Sequence, residues 1–193
     1  PMRLDLEEAA KMLKPPVFII NAVLNSTLEP VAVVSGDPIE AHRSGSRISA
    51  EIYGTAIPGQ ADVVIAGSYP MDQDLRQGVK ALANTIRAVR PGGVMITAIR
   101  AEEGVGVFGL ADQKLPVGRG TLKRLAPVIL PLVPRIKIQG LGEEDRFFLY
   151  FALQAMHQSD LLIYGPTIPA ETQANLPFAS FAPTLQDAVA QAQ

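Results

Sequence analysis

The run from Asp62 to Lys80 constrains this chain most, because its hydrophobic period changes part-way along. Val63, Val64, Ile65 and Ala66 form an unbroken apolar run closed by Gly67, the pattern of a strand buried on both faces. Pro70 then ends the extended segment, and Asp72 stands where a helix N-cap is expected. Beyond it the period becomes helical. Leu75, Val79, Leu82, Ile86 and Val89 make one apolar stripe, and Gln73, Gln77, Lys80 and Asn84 make a polar one on roughly the opposite side. Strand, polar turn and amphipathic helix in that order belong to an open α/β sheet, where ligands gather at the carboxyl ends of the strands.

The rest of the chain repeats the alternation. A short helix over Leu6–Leu13 ends at Pro15-Pro16, and strands follow at Val17–Leu24 and Val31–Ser35. The tight turn between them predicts a hairpin, and so a sheet that is mostly parallel or mixed, flanked by helices. Asp37, Pro38 and Glu40 carry the signals of a capped helix with a capping box, Ile48 and Ile52 on its inner face and Gly54 at its end. Val94–Ile99 reads as a buried strand, 100–120 as a glycine-rich charged loop, and Thr121–Val133 as an apolar segment that Pro127 and Pro131 must kink or stop. A short strand is predicted over Arg135–Gln139, an apolar helix over Glu143–Gln158, and a last strand over Asp160–Gly165. A proline-bearing connection follows, and Thr184 opens a terminal helix with Asp187 at the box position. The whole of 1–193 reads as one α/β domain.

Composition narrows the function classes. The chain has 193 residues, 48% of them apolar, enough for a proper core. Its 17 basic and 19 acidic residues give a net charge of −2, with no pull toward nucleic acid or an anionic membrane. It contains no cysteine, which excludes disulfides and thiolate metal sites and fits a reducing cytoplasm. No apolar run reaches membrane-spanning length.

Gly104 to Gly109 match G-x-G-x-x-G, but no Asp or Glu occurs between Asp112 and Glu143 to meet a ribose, and Pro116 follows closely. His42 and His157 are the only histidines, lie on separate predicted helices and lack chelating spacing, so no metal site is expected. Arg119, Lys123 and Arg124 suit solvated surface or a contact to a phosphate or another domain. The Gln77 and Lys80 stripe likewise suits a solvated face or, one turn apart, an amide and ammonium holding a small carboxylate in a cleft.

Several of these segments resemble one family. Residues Ser68 to Leu82, SYPMDQDLRQGVKAL, are similar to the GYPLDxNLYQxxKAL signature of the nickel-pincer lactate racemases, the LarA-like 2-hydroxyacid racemases. Phe18 to Asn25 resembles that family's FxxNVVLN strand, and Gly36 to Arg43 its GDPxxAHR turn and helix. Pro91 to Ile96, followed by Glu103 to Gly106, resembles its GGxII strand and EGxG loop. The resemblance runs from Arg3 to Gly165.

It implies the C-terminal domain of a racemase or epimerase, with the N-terminal catalytic and cofactor domain absent, since nothing here matches the family's catalytic histidines or pincer-bearing lysine. In that family a nickel pincer nucleotide takes a hydride from the substrate's C2 carbon and returns it to either face. The cofactor belongs to the missing domain, so none is expected bound to this fragment, which is expected to be inactive alone. By the resemblance, Gln77 and Lys80 would hold the carboxylate of a small 2-hydroxy acid or polarise its oxygen. Arg76, where the family commonly has tyrosine, would either add a second carboxylate contact suited to a diacid or sugar acid or mark a diverged member with another reaction. Tyr69, Asp72, Gly104 and Gly106 would shape the turn and loop beside the cleft. The partners expected are the chain's own N-terminal domain and a second copy in a homo-oligomer. The alternative is a non-catalytic ligand-binding or dimerisation module of the same fold, in which the apolar helix Glu143–Gln158 would fit an interaction surface.

Overall fold

The structure, a computed structural model, describes residues 2–14, 16–112, 114–135 and 142–193. Backbone packing divides the chain into two compact units, residues 1–56 and 57–193.

The first unit runs α1 (Met2–Met12), β1 (Ile19–Leu24), β2 (Pro30–Gly36) and α2 (Pro38–Tyr53). The hairpin turn is built by one side chain. Asn25 Oδ1 accepts from the backbone N–H groups of Thr27 and Glu29 at 3.0 and 2.9 Å, which offsets the left-handed Leu28 at φ 65°. β1 and β2 pair antiparallel from Ile19↔Gly36 to Leu24↔Pro30. The predicted hairpin is therefore present, but it forms a two-stranded sheet of its own and not an antiparallel edge of the main sheet.

Asp37 caps α2 as predicted, accepting from Ile39 and Glu40 N–H at 3.0 and 3.1 Å. Glu40 does not complete the box; its carboxylate faces Arg43 at 3.2 Å. The inner face of α2 also differs from expectation. Ala41 and Gly45 are its buried residues, while Ile52 is exposed. Gly45 permits close approach to the hairpin, since a Cβ there would stand 3.1 Å from Val34 Cγ2. Arg43 ties α2 to α1 through Glu7 at 2.9 and 3.0 Å, and that guanidinium holds the Glu7 carboxyl below the usual range.

The second unit is a four-stranded parallel sheet of β3 (Ala61–Gly67), β4 (Val89–Ala98), β5 (Asp160–Tyr164) and β6 (Ser180–Ala182), side by side in chain order. β4 pairs with β3 first at Val89, opposite Ala61; Arg90 to Gly93 then leave the ladder, which resumes at Val94, opposite Val63. The helices are α3 (Leu75–Gly78), α4 (Lys80–Thr85), α5 (Gly109–Asp112), α6 (Arg119–Ile129), α7 (Glu143–Gln158), α8 (Ala170–Asn175) and α9 (Leu185–Gln191).

The alternation of strand side chains makes two apolar layers. Met95, Leu161 and Ile163 face the larger one, with Leu75, Leu82, Leu122, Leu149, Leu153 and Met156 from the helices. Ile96 and Leu162 face the other, with Ala188 of α9. Every residue of the predicted stripe from Leu75 to Val89 is in the larger layer or packed against it. The segment is not one helix, however. It breaks at Val79 and ends in a 3-10 turn over Ile86–Ala88.

Two further expectations change, and a third falls almost wholly outside the described residues. α6 passes through Pro127 to Ile129, where Leu130 N–H closes on Ala126 O at 2.9 Å; the ring removes only the bond that Lys123 O would accept. β6 arises inside the proline-bearing connection, too short to show a period. The strand predicted over Arg135–Gln139 lies outside the described residues except for Arg135, which stands in a turn, and Pro15 is likewise outside them. The helix over Glu143–Gln158 and the Thr184 cap, with Asp187 N–H at 3.0 Å from its Oγ1, stand as predicted.

Two substitutions probe this packing by opposite routes. Leu82→Ala should cost about 2–5 kcal/mol through the cavity it leaves. Gly78→Ala should cost about 1–3 kcal/mol through overpacking, since its Cβ would lie 2.3 Å from Ile99 Cγ2. Denaturant unfolding of both variants measures the losses; a value within error of the parent for either would remove that residue from the packing scheme.

Candidate functional site at the carboxyl edge of the sheet

The segments leaving the carboxyl ends of β3 and β4 are hydrogen-bonded to each other. Ser68 N–H bonds Ala98 O at 3.1 Å, Ala101 N–H bonds Asp72 O at 2.8 Å, and Glu103 N–H bonds Gln73 O at 2.8 Å. The pairing then turns onto α3. Leu75 and Arg76 N–H donate to the carbonyls of Gly104 and Val105 at 3.0 and 3.3 Å. Gln77 N–H donates to the Asp74 side chain at 2.7 Å, and Gly78 N–H to Asp74 O at 3.0 Å. The orphan N–H groups of Leu75, Arg76 and Gln77 are thus satisfied by protein oxygens, and Gly78 N–H makes the first intrahelical bond.

Asp74, not Asp72, is therefore the N-cap, a correction of the sequence reading. The cause is local: the helix begins two residues later than the turn signal suggested, because the 101–106 loop supplies its first acceptors. Gly104 and Gly106 have φ 89° and 72°, and a Cβ on Gly106 would come within 3.0 Å of the Asp74 carboxylate. The G-x-G-x-x-G match thus serves a loop that caps a neighbouring helix. Ala101 holds a left-handed φ of 48°, at a cost of roughly 1–2 kcal/mol, between its own bond to Asp72 O and the Gly104 N–H it accepts.

Asp72 has a different task. It is buried and paired with Arg100, whose Nε lies 3.0 Å from Oδ2 and whose second nitrogen lies 3.4 Å from Oδ1. The guanidinium beside it holds the Asp72 carboxyl below the usual range, and the carboxylate in turn raises Arg100. Arg100 also lies 5.5 Å from the ring centre of the exposed Tyr69 and 3.6 Å from Glu102. Thr167, after β5, bonds the carbonyls of Arg100 and Ala101. Tyr69, Asp72, Arg100 and Thr167 therefore meet at the ends of three adjacent strands. Sequence reasoning missed Arg100; its place immediately after the buried strand ending at Ile99 was the available signal.

Of the carboxylate-binding candidates, Gln77 and Lys80 are brought together, Lys80 Nζ donating to Gln77 Oε1 at 2.5 Å across the α3/α4 break. Arg76 turns elsewhere, pairing with Glu144 of α7 and lying 5.7 Å from the Phe148 ring centre. Arg119 and Lys123 go to Asp160, at 3.1 and 2.7 Å, at the amino end of β5 and so at the opposite edge of the sheet. Among the described residues no three His, Cys, Asp or Glu side chains come together as a metal site. No described helix is long and apolar enough to cross a membrane. A groove of about 740 Å³ lies in the first unit, between β1 and α2, and not beside Gln77 and Lys80.

Comparison with known proteins places this edge in context. The family described as "Lactate racemase C-terminal domain" matches residues 56–113. A lactate racemase of Thermoanaerobacterium thermosaccharolyticum is 35% identical over 111 residues, 56% of this chain and 26% of that protein. One of Lactiplantibacillus plantarum is 32% identical over 108 residues, 54% of this chain and 25% of that protein. The match thus spans about a quarter of each curated relative. The solved lactate racemase apoprotein of T. thermosaccharolyticum superposes with TM-score 0.73 at 23% identity, over 97% of this chain and 43% of that one, which shows a shared fold.

The ion pair gives a pH signature. A carboxyl lowered in the folded state stabilises the fold above its ordinary pKa of about 3.9, and that contribution disappears as pH falls through the lowered value. Asp72→Asn should therefore lower the Tm at neutral pH, with the gap to the parent closing below about pH 4. Thermal unfolding between about pH 2 and 7 checks this, and a gap independent of pH would mean that the pair does not titrate as a unit.

Proposed function

We propose, from the premise that the chain is a member of the LarA-like lactate racemase family, that the carboxyl edge of its parallel sheet forms one wall of a substrate cleft for a 2-hydroxyacid racemase or epimerase. The observation that carries this is the Lys80–Gln77 pair, held on a helix start where the N–H groups of Leu75 to Gly78 are already bonded. An incoming anion cannot bind the helix N–H groups, so side chains must recognise it. Lys80 spends one of its three N–H groups on Gln77 Oε1, and the others can donate to a substrate carboxylate. Gln77 orients the ammonium and can contribute its own amide. The Asp72–Arg100 pair and the glycine loop hold α3 in place and touch no reacting atom in this reading.

The site is a surface that needs a facing wall, which the further polypeptide of the longer relatives would supply. The nickel pincer nucleotide implied by the resemblance finds no donor set among the described residues, so no step is routed through it here. Its holder would be that other portion, in a cytoplasmic protein. Arg76, paired with Glu144, would reach a second carboxylate only by exchanging that partner. A second reading, a non-catalytic ligand-binding or dimerisation module, draws support from Phe147, which is 57% exposed on α7.

Lys80→Ala in the full-length protein should lower kcat/KM about ten- to a hundred-fold through loss of a charge-assisted contact. Folding stability should change by no more than about 0.5 kcal/mol, because Lys80 is exposed. Kinetics on the processed 2-hydroxy acid and thermal unfolding together test this; kcat/KM within about twofold of the parent would reduce Lys80 to a solvated lysine. The 193-residue chain alone should racemise no 2-hydroxy acid. Turnover by chiral chromatography would restore a complete site to this chain, whereas ligand binding by a full-length protein that never turns over would favour the module.

A further inference from the structure

The first unit is an unfinished fold. Its hairpin is covered on one face only, where Val23 and Val34 meet α2 at Gly45. The other face carries Ile20, Ala22 and Leu24 along β1 and Val31 and Val33 along β2, all exposed, and Phe18, just before β1, is exposed as well. Ile20 is 70% exposed and Val33 64%. An antiparallel sheet with one solvated face normally turns polar residues outward. Here the outward positions are apolar except for Ser35, opposite Ile20, close to the composition of a sheet sandwiched on both sides.

The interior says the same. Val23 and Ala41 are the buried apolar side chains of residues 1–56 among the described residues, and both apolar clusters lie wholly in the second unit. A helix-backed two-stranded sheet with so little core is not a self-sufficient domain. The outer edge of β1 has no described ladder partner, and the 740 Å³ groove runs along it, lined by Asn21, His42, Ser49 and Tyr53.

We infer that residues 1–56 are the closing segment of a preceding domain. The bare hairpin face and the β1 edge are completed by polypeptide N-terminal to residue 1 in the full-length protein, which supplies an apolar layer and an added strand. Two observations choose this occupant over a second copy. The C-terminal-domain match, residues 56–113, begins at the boundary between the two compact units and does not extend into the first. And 97% of this chain, the first unit included, superposes on only 43% of a solved relative, so more than half of such a chain remains to provide the cover. This rests on the reading that the chain works beside a further portion of polypeptide, but it does not depend on racemase chemistry.

The chain has no cysteine, which makes single-site labelling clean. In the full-length protein, with any cysteines outside this region replaced, Ile20→Cys and Val33→Cys should react with a maleimide at least about tenfold more slowly than Glu51→Cys on exposed α2. Protection should persist at dilutions where sedimentation shows a monomer. Equal rates at the three positions would overturn the inference. Protection lost on dilution to monomer would also overturn it, by assigning the face to a second copy. Hydroxyl-radical footprinting of Phe18 in the unsubstituted protein repeats the test without a variant; strong oxidation there counts against the cover. A protein that protects Val33 but shows no racemisation would remove the functional reading alone.

Discussion

The hydrogen-bonded seam between the segments 68–78 and 99–106 holds the second unit's chemistry in place. Parallel strands pair evenly along their length, but the chain beyond them must leave the sheet, and its polar backbone has to be satisfied there. In this protein the two departing segments satisfy each other. One gives carbonyls to the start of α3, the other gives carbonyls to the loop, and the buried Asp72 carboxylate fixes the side through Arg100. A helix as short as Leu75–Gly78 has little stability of its own. It stands because its donors are already bonded and Leu75 is fully buried beneath it.

That arrangement separates two roles that polar residues near one another might be thought to share. Asp72, Asp74, Arg100 and the loop glycines are engaged with protein, while Gln77 and Lys80 sit on the outside of the element so fixed. Arg76 belongs to neither group, since Glu144 and Phe148 tie it to α7. The long helix Glu143–Gln158 is therefore connected to the candidate site through one side chain as well as through the shared apolar layer.

Period and punctuation made much of this legible in advance. The strand at Val63–Ala66, the hairpin, the Asp37 and Thr184 caps and the helix over Glu143–Gln158 each depend on contacts between near neighbours, and local pattern reports those directly. Burial of the first strand on both faces did not hold, because β3 lies at the edge of the sheet and leaves Ile65 55% exposed. What failed depends on partners distant in sequence. Asp72 and Asp74 are equally good caps by composition, and the choice was made by carbonyls some thirty positions away in the 101–106 loop. Arg100 gives no signal until Asp72 is seen beside it. Ser180–Ala182 becomes a strand only because β5 offers an edge to pair with. Pro127 predicted a break, but a proline costs a helix one donor bond, and the packing of Leu122 and Ala126 outweighs that loss.

The order of the parallel strands carries a consequence for how this unit comes into being. Each strand lies beside the one synthesised just before it, from β3 through β6, so no strand has to be inserted between two already paired. The sheet can grow outward from one side as the chain leaves the ribosome, and each new strand meets an open edge. The unpaired edge is meanwhile handed along to later sequence, and it ends at a strand of three residues, Ser180–Ala182. So short an edge offers a poor template to a neighbouring chain. Tapering thus protects the growing edge of the sheet from strand exchange, whereas the seven-residue β3 forms its other edge from the start.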